Sequence, residues 1–150
     1  MANLPTPAQG ALFIWTIPMD PSGNSTPYEN TDNITLIAPA SYGVGTTVST
    51  TQVNTNARGV VVYLNITAIG TGTVLLHIQA SDPVTGLTND LFFDAAAIAA
   101  NGFYIFVLYP GVSVGAPHAS SSMALTRQWR VTAVVAAAAV TFGVSASLIL

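Results

Sequence analysis

Between Gly59 and Ser81 the chain alternates twice. Val60, Val62, Leu64, Ile66 and Ala68 interleave with Val61, Tyr63, Asn65 and Thr67; after Ile69-Gly70-Thr71-Gly72, Val74, Leu76, Ile78 and Ala80 interleave with Leu75, His77, Gln79 and Ser81. A period of two sends successive side chains to opposite faces of an extended strand, so each run reads as a strand with one buried face. The short Gly-containing loop between the runs predicts a β-hairpin. The end of the chain repeats the pattern. Trp129, Val131, Ala133 and Val135 share one face of a strand over Arg127–Val135, and Val140, Phe142, Val144, Ala146, Leu148 and Leu150 share a face of the next. Those two strands also read as a hairpin, although Ala136–Ala139 offers poor turn chemistry.

The rest of the chain fills in shorter elements. Ala11–Ile17 is apolar on both faces, as suits a strand covered on two sides. Residues 18–33 are dense in Pro, Gly, Asn, Ser and Asp and read as a loop. Ile34–Ala38 is a short strand, Pro39–Gly45 a turn, and Thr46–Val53 a Thr-rich strand. Asp82-Pro83-Val84-Thr85-Gly86 has Asp to cap the backbone, Pro to preset φ and Gly to leave at positive φ, so it predicts a tight turn. Leu91–Phe93 and Phe103–Tyr109 are further strands. Asp94–Ala100 has helical propensity for about two turns, and Val112–Leu125 is a long connection. About eight short strands separated by turn signals describe an all-β chain, an antiparallel β-sandwich or jelly roll. The expected organisation is an extended, Pro-rich arm over residues 1–10 and a single domain over 11–150.

Composition changes the picture. Charged residues are 6% of the chain against about 25% in an ordinary domain, and hydrophobic ones are 51%. There is no lysine; Arg58, Arg127 and Arg130 are the only side chains with a permanent positive charge. Free proteins use charge to stay apart, and β-proteins place Lys on exposed strand edges to block further pairing. A β-rich chain without these devices is expected to keep much of its surface against other subunits. The net charge of −3 argues against a nucleic-acid partner, which needs a basic patch. Without cysteine there are no disulfides and no thiolate metal sites. Val131–Leu150 is uncharged and long enough to span a bilayer as a helix. Its period of two favours strands, so no membrane partner is expected.

Few residues suggest chemistry. His118 lies near Ser120, Ser121 and Ser122 without the third group that orients a catalytic base. His77 belongs to the polar face of its strand. Asp82, Asp90 and Asp94 do not follow the spacing of a calcium loop. Gly43-Val44-Gly45-Thr46-Thr47 lacks the lysine of a phosphate loop. No catalytic, cofactor-binding or metal-binding residue is therefore expected, and the chain reads as a non-enzyme. Trp15, Tyr28, Tyr42, Tyr63, Phe92, Phe93, Tyr104 and Tyr109 could stack on sugars, but core and interface roles suit them better. An Arg kept in a Lys-free chain suggests bidentate or stacked geometry. Arg58, Arg127 and Arg130 are expected to bridge Asp82, Asp90 or Asp94 of their own subunit, or a neighbour's carboxylate. With Leu4, Pro5, Pro7 and Tyr28 they form the candidate interface.

Several segments together resemble a family of small tailed-phage virion proteins. They are Arg58–Val62 with Asn65-Ile66-Thr67, Ile78–Gly86, Tyr109-Pro110-Gly111, Arg127–Val131 and Ser145–Ile149. The resemblance covers the last two thirds of the chain, and its motifs specify strands and turns more than a task. Where the family has Gly-rich turn residues before its last strand, this chain has Ala136–Ala139, and the first fifty residues do not match. The resemblance implies a structural virion component at the capsid surface, a decoration or cement protein. Its partners would be the major capsid protein and copies of itself, in a homo-oligomeric arrangement. The alternative is a virion-surface or tail-associated β-module that binds a host glycan.

Overall fold

Each alternating run forms a strand, but not with the partner that its neighbour in sequence would supply. The computed structural model describes residues 33–94, 96–113 and 120–150. The expected arm, the Ala11–Ile17 strand, almost all of the 18–33 loop and His118 lie outside them. Ten strands are present among the described residues: β1 Asn33–Tyr42, β2 Gly45–Val48, β3 Gln52–Val53, β4 Gly59–Ala68, β5 Thr73–Ser81, β6 Thr88–Phe93, β7 Gly102–Leu108, β8 Ser120–Ser121, β9 Gln128–Ala136 and β10 Val140–Ile149. They form two sheets. The first runs β1-β10-β4-β7-β8, and the second runs β2-β9-β5-β6 with β3 also on β9. All pairs are antiparallel except β7 with β8.

The pairing is nested. Apart from the two-residue β3 and β8, β1 pairs β10, β2 pairs β9, β4 pairs β7 and β5 pairs β6. The chain is thus one long double ribbon with the Asp82–Gly86 turn at its tip, rolled until β10 meets β4 and β9 meets β5. That is the strand order of a jelly roll. Both expected hairpins are corrected by it. β4 and β5 lie in different sheets, and so do β9 and β10. Alternation alone cannot tell a hairpin from an arch between two sheets, because both bury one face of each strand.

The arches show how the crossings are made. Gly70 has φ +51°, and Gly72 donates its N–H to the Ile69 carbonyl at 2.8 Å. A Cβ on Gly72 would stand 2.6 Å from the Ala138 carbonyl and from Val140 Cγ2, so the two arches touch. In the second arch Ala138 N–H donates to the Ala136 carbonyl at 2.8 Å around Ala137, whose φ is +68°. This three-residue γ-turn is strained for a residue with a Cβ. Four alanines reverse direction here without glycine.

Three further expectations change. Pro39 does not begin a turn. It lies inside β1, an edge strand whose register slips on both sides of Ile37, where a residue without an N–H is tolerated. The Thr46–Val53 strand is two short strands, joined by Ser49. Its N–H donates to the Val131 carbonyl at 2.9 Å, and its hydroxyl accepts from Val131 N–H at 3.0 Å. No helix forms among the described residues of 94–100. Ile98 exchanges backbone hydrogen bonds with Val74 at 2.8 and 2.9 Å, and a stretch of this length cannot nucleate a helix against such a pairing.

Between the sheets lies one core. Val60, Val62, Leu64 and Ile66 from β4, Phe106 and Leu108 from β7, and Val140, Phe142, Val144 and Ala146 from β10 contribute from one layer. Val74, Leu76 and Ile78 from β5, Phe92 from β6, and Trp129, Val131, Ala133 and Val135 from β9 contribute from the other. Burying a large side chain of this kind stabilises by about 1.5–3 kcal/mol. Phe92 and Phe106 meet across the layers with ring centroids 5.6 Å apart. Trp129 is fully buried, and its indole N–H has no hydrogen-bond partner among the described residues.

The uncharged Val131–Leu150 run is most of β9 plus β10, two strands of opposite sheets. No helix among the described residues is long and apolar enough to cross a membrane.

Candidate functional site

Charge is distributed unequally between the sheets. None of the strands of the first sheet carries Asp, Glu, Lys, Arg or His, whereas β5, β6 and β9 of the second carry His77, Asp90 and Arg130. Register puts these on the outer face, since Gln79 lies opposite Arg130 on one side and Asp90 on the other. Gln79 is the hub. Its Oε1 accepts from Arg130 Nε and from the Thr132 hydroxyl, both at 3.0 Å, and its Nε2 donates to Asp90 Oδ1 at 2.9 Å. Arg130 Nη2 also donates to the Thr88 hydroxyl at 3.1 Å. Asp90 Oδ2 lies 3.1 Å from His77 Nδ1. An ionised carboxylate only accepts, so the ring must donate from Nδ1. His77 stacks on Phe93 with centroids 6.2 Å apart. Among the described residues no hydroxyl or other nucleophile is bonded to the other nitrogen of this imidazole.

The arginines do not make the expected bridges within the subunit. His77–Asp90 is the one ion pair among the described residues, and no arginine reaches Asp82, Asp90 or Asp94. Arg130 is held by the neutral groups of Gln79 and Thr88. The Arg58 guanidinium sits 5.8 Å from the Tyr109 ring centroid, a stacked use of Arg. Arg127 is exposed and lines an open depression of about 470 Å³ with Ser81, Asp82, Leu87 and Asn89. Asp82 is occupied in its turn. It accepts from the Thr85 hydroxyl at 2.5 Å and from Val84 N–H at 2.9 Å, and Gly86 leaves with φ +72°. Those hydrogen bonds, the Thr85 hydroxyl first, hold its carboxyl below the ordinary 3.8. The structure places Arg127 and Arg130 with the second sheet and Arg58 at the entrance of β4. Leu4, Pro5, Pro7 and Tyr28 lie outside the described residues.

The Ser cluster is used structurally. Ser120 Oγ donates to the Ser113 carbonyl at 2.8 Å, Ser121 Oγ to the Leu91 carbonyl at 3.0 Å, and Ser122 Oγ accepts from Gly111 N–H at 2.9 Å. Among the described residues no three metal-ligating side chains come together.

Sheet edges differ in how they are guarded. On one side the Ser121–Leu91 bond closes β8 of the first sheet against β6 of the second. On the other side β1 has its slipped register and Pro39. The remaining edge, β2 with β3, has no charge and no proline. Ser49 continues its ladder on β9, and around it Val44, Val48 and Val53 are 66%, 45% and 60% exposed. An edge strand presenting apolar side chains and free backbone groups is a template for another chain.

The outer face of the first sheet carries a groove of about 250 Å³. Two register rows build it. Gly143, Asn65 and Phe103 lie side by side on β10, β4 and β7; Thr35, Ser145, Tyr63 and Ile105 form the next row, starting on β1. Tyr63 and Phe103 stack at 5.7 Å with 14° between ring planes, and Phe103 is 59% exposed. A Cβ on Gly143 would stand 2.9 Å from Pro39 Cγ, so glycine here lets β1 approach and leaves a floor without a side chain. Tyr63, one of the aromatics for which the sequence favours a core or interface role over sugar stacking, lies on this outer face. Asn65 stands in the sequence as part of Asn65-Ile66-Thr67 with no groove implied, and Phe103 as the start of a strand; the one local signal is Gly143, since a glycine inside a period-two run marks a close approach.

Comparison with protein-family models and with curated protein sequences found no match for this chain.

Proposed function

We propose that this chain is a non-enzymatic structural component of a phage virion. It decorates the capsid surface and cements neighbouring shell subunits, the β2–β3 edge being its attachment point. The observation that carries this reading is that edge: exposed valines on two short strands, β2 and β3, both paired to β9, and no guarding charge, in a chain that has no lysine to supply one. The jelly-roll strand order agrees with the expected fold but does not by itself define a task. Attachment combines strand addition with burial of Val44, Val48 and Val53, and each contact is multiplied by the copies on a shell. The partners are the major capsid protein and copies of the chain itself.

The test is the Val48→Lys, Val53→Lys double variant. Both side chains leave the core untouched, so the variant is expected to keep the thermal transition of the wild type. It should lose co-sedimentation with capsids and lose self-association in analytical ultracentrifugation. A wild-type chain that stays monomeric at high concentration with no affinity for any shell overturns the proposal, and so does a double variant that attaches as well as its parent.

A further inference from the structure

We infer that the groove on the outer face of the first sheet is a binding site for a neutral saccharide, a role beyond structural attachment. Tyr63 and Phe103 present a stacked pair of rings at the surface, in a region where an exposed Phe is otherwise a liability. The axial C–H face of a pyranose packs on such a platform. Around it stand Thr35, Asn65 and Ser145, whose side chains have no hydrogen-bond partner among the described residues and together offer donors and acceptors. The Thr67 hydroxyl, by contrast, is engaged, donating to the Thr141 carbonyl at 3.4 Å.

Charge decides between ligand classes. No strand of this sheet bears a charged side chain, so nothing there neutralises a sialate, a uronate or a phosphate. A wholly apolar ligand would cover Asn65, Ser145 and Thr35 without pairing them, which is costly. A neutral sugar has both an apolar face and a rim of hydroxyls, and matches both halves of the lining. Gly143 supplies the depth, because any side chain there would fill the floor and press on Pro39.

The experiment uses the full chain and titrates it with neutral oligosaccharides of glucose, galactose and N-acetylglucosamine, followed by amide chemical shifts. The expected result is saturable shifts centred on Asn65, Phe103 and Gly143. Phe103→Ala should weaken affinity about tenfold. Asn65→Leu, which keeps the bulk but removes the amide, should weaken it in the same direction, with the fold of both variants verified by their unchanged spectra elsewhere. Absence of binding at millimolar sugar overturns the inference. So does a preference for acidic glycans, or a capsid subunit found seated on this face in the assembled particle.

Discussion

The two sheets share a core and solve the problem of facing outward in opposite ways. The second sheet concentrates charge and consumes it internally, through Gln79, Arg130, Asp90, His77 and Thr88. The strands of the first sheet carry no charged side chain and turn toward solvent with Thr, Ser and Asn, of which Thr35, Asn65 and Ser145 have no hydrogen-bond partner among the described residues. The low charge of the chain is therefore not a uniformly apolar exterior. One layer is neutral and polar. Three exposed valines, Val44, Val48 and Val53, gather along the second sheet's β2–β3 edge, while Val84 is exposed in the Asp82–Gly86 turn. Attachment and ligand recognition are thereby assigned to different surfaces, one at an edge and one on a face.

Substitutions at equivalent outward positions test this contrast most sharply. Gln79→Leu strands the buried Thr132 hydroxyl and releases Arg130 and Asp90, so it should cost about 1–3 kcal/mol in urea unfolding. Ser145→Ala on the first sheet should stay within about 0.5 kcal/mol. Equal losses at the two positions would erase the distinction. A smaller effect is expected where the sheets are joined. Ala137→Gly relieves a positive φ at the cost of a more flexible unfolded chain, and should raise stability by about 0.5 kcal/mol. A loss of stability instead would mean that the arch needs the alanine methyl. The smallest effect belongs to the tip of the second sheet. The folded pKa of Asp82 lies below its unfolded value, so its contribution is complete above about pH 4 and is lost as pH falls through the folded pKa. Thr85→Val should flatten that acid-side slope, measured as stability against pH from 5 to 2; an unchanged slope would remove Thr85 as the cause.

The strands themselves were readable because burial imposes alternation. Val60, Val62, Leu64 and Ile66 are buried and Val61, Tyr63, Asn65 and Thr67 are not. The Asp82–Gly86 turn was readable because its chemistry is local. Partnership was not, because it is settled by residues far apart: Asn33 lies opposite Ser147, and Thr46 opposite Val134. The Ile69–Gly72 loop looks the same in sequence whether it closes a hairpin or carries the chain across the sandwich. The groove was hidden for the same reason. Asn65, Phe103 and Gly143 belong to three strands, and only the register brings them into one row. The arginines were legible as unusual, but their neutral and aromatic partners come from other strands or from a residue fifty-one positions away, as Gln79 is from Arg130.

The place of β10 has a consequence for how the molecule is made. It is the last strand in order, yet it lies between β1 and β4 and, among the described residues, is the sole strand to which β1 is hydrogen-bonded. During synthesis β1 emerges long before β10, its partner, exists, and its layer stays incomplete until residues 140–149 leave the ribosome. Such distant closure makes for slow, late-committing maturation, and a nascent chain stalled before Val140 would display two lone strand flanks to every sibling nearby.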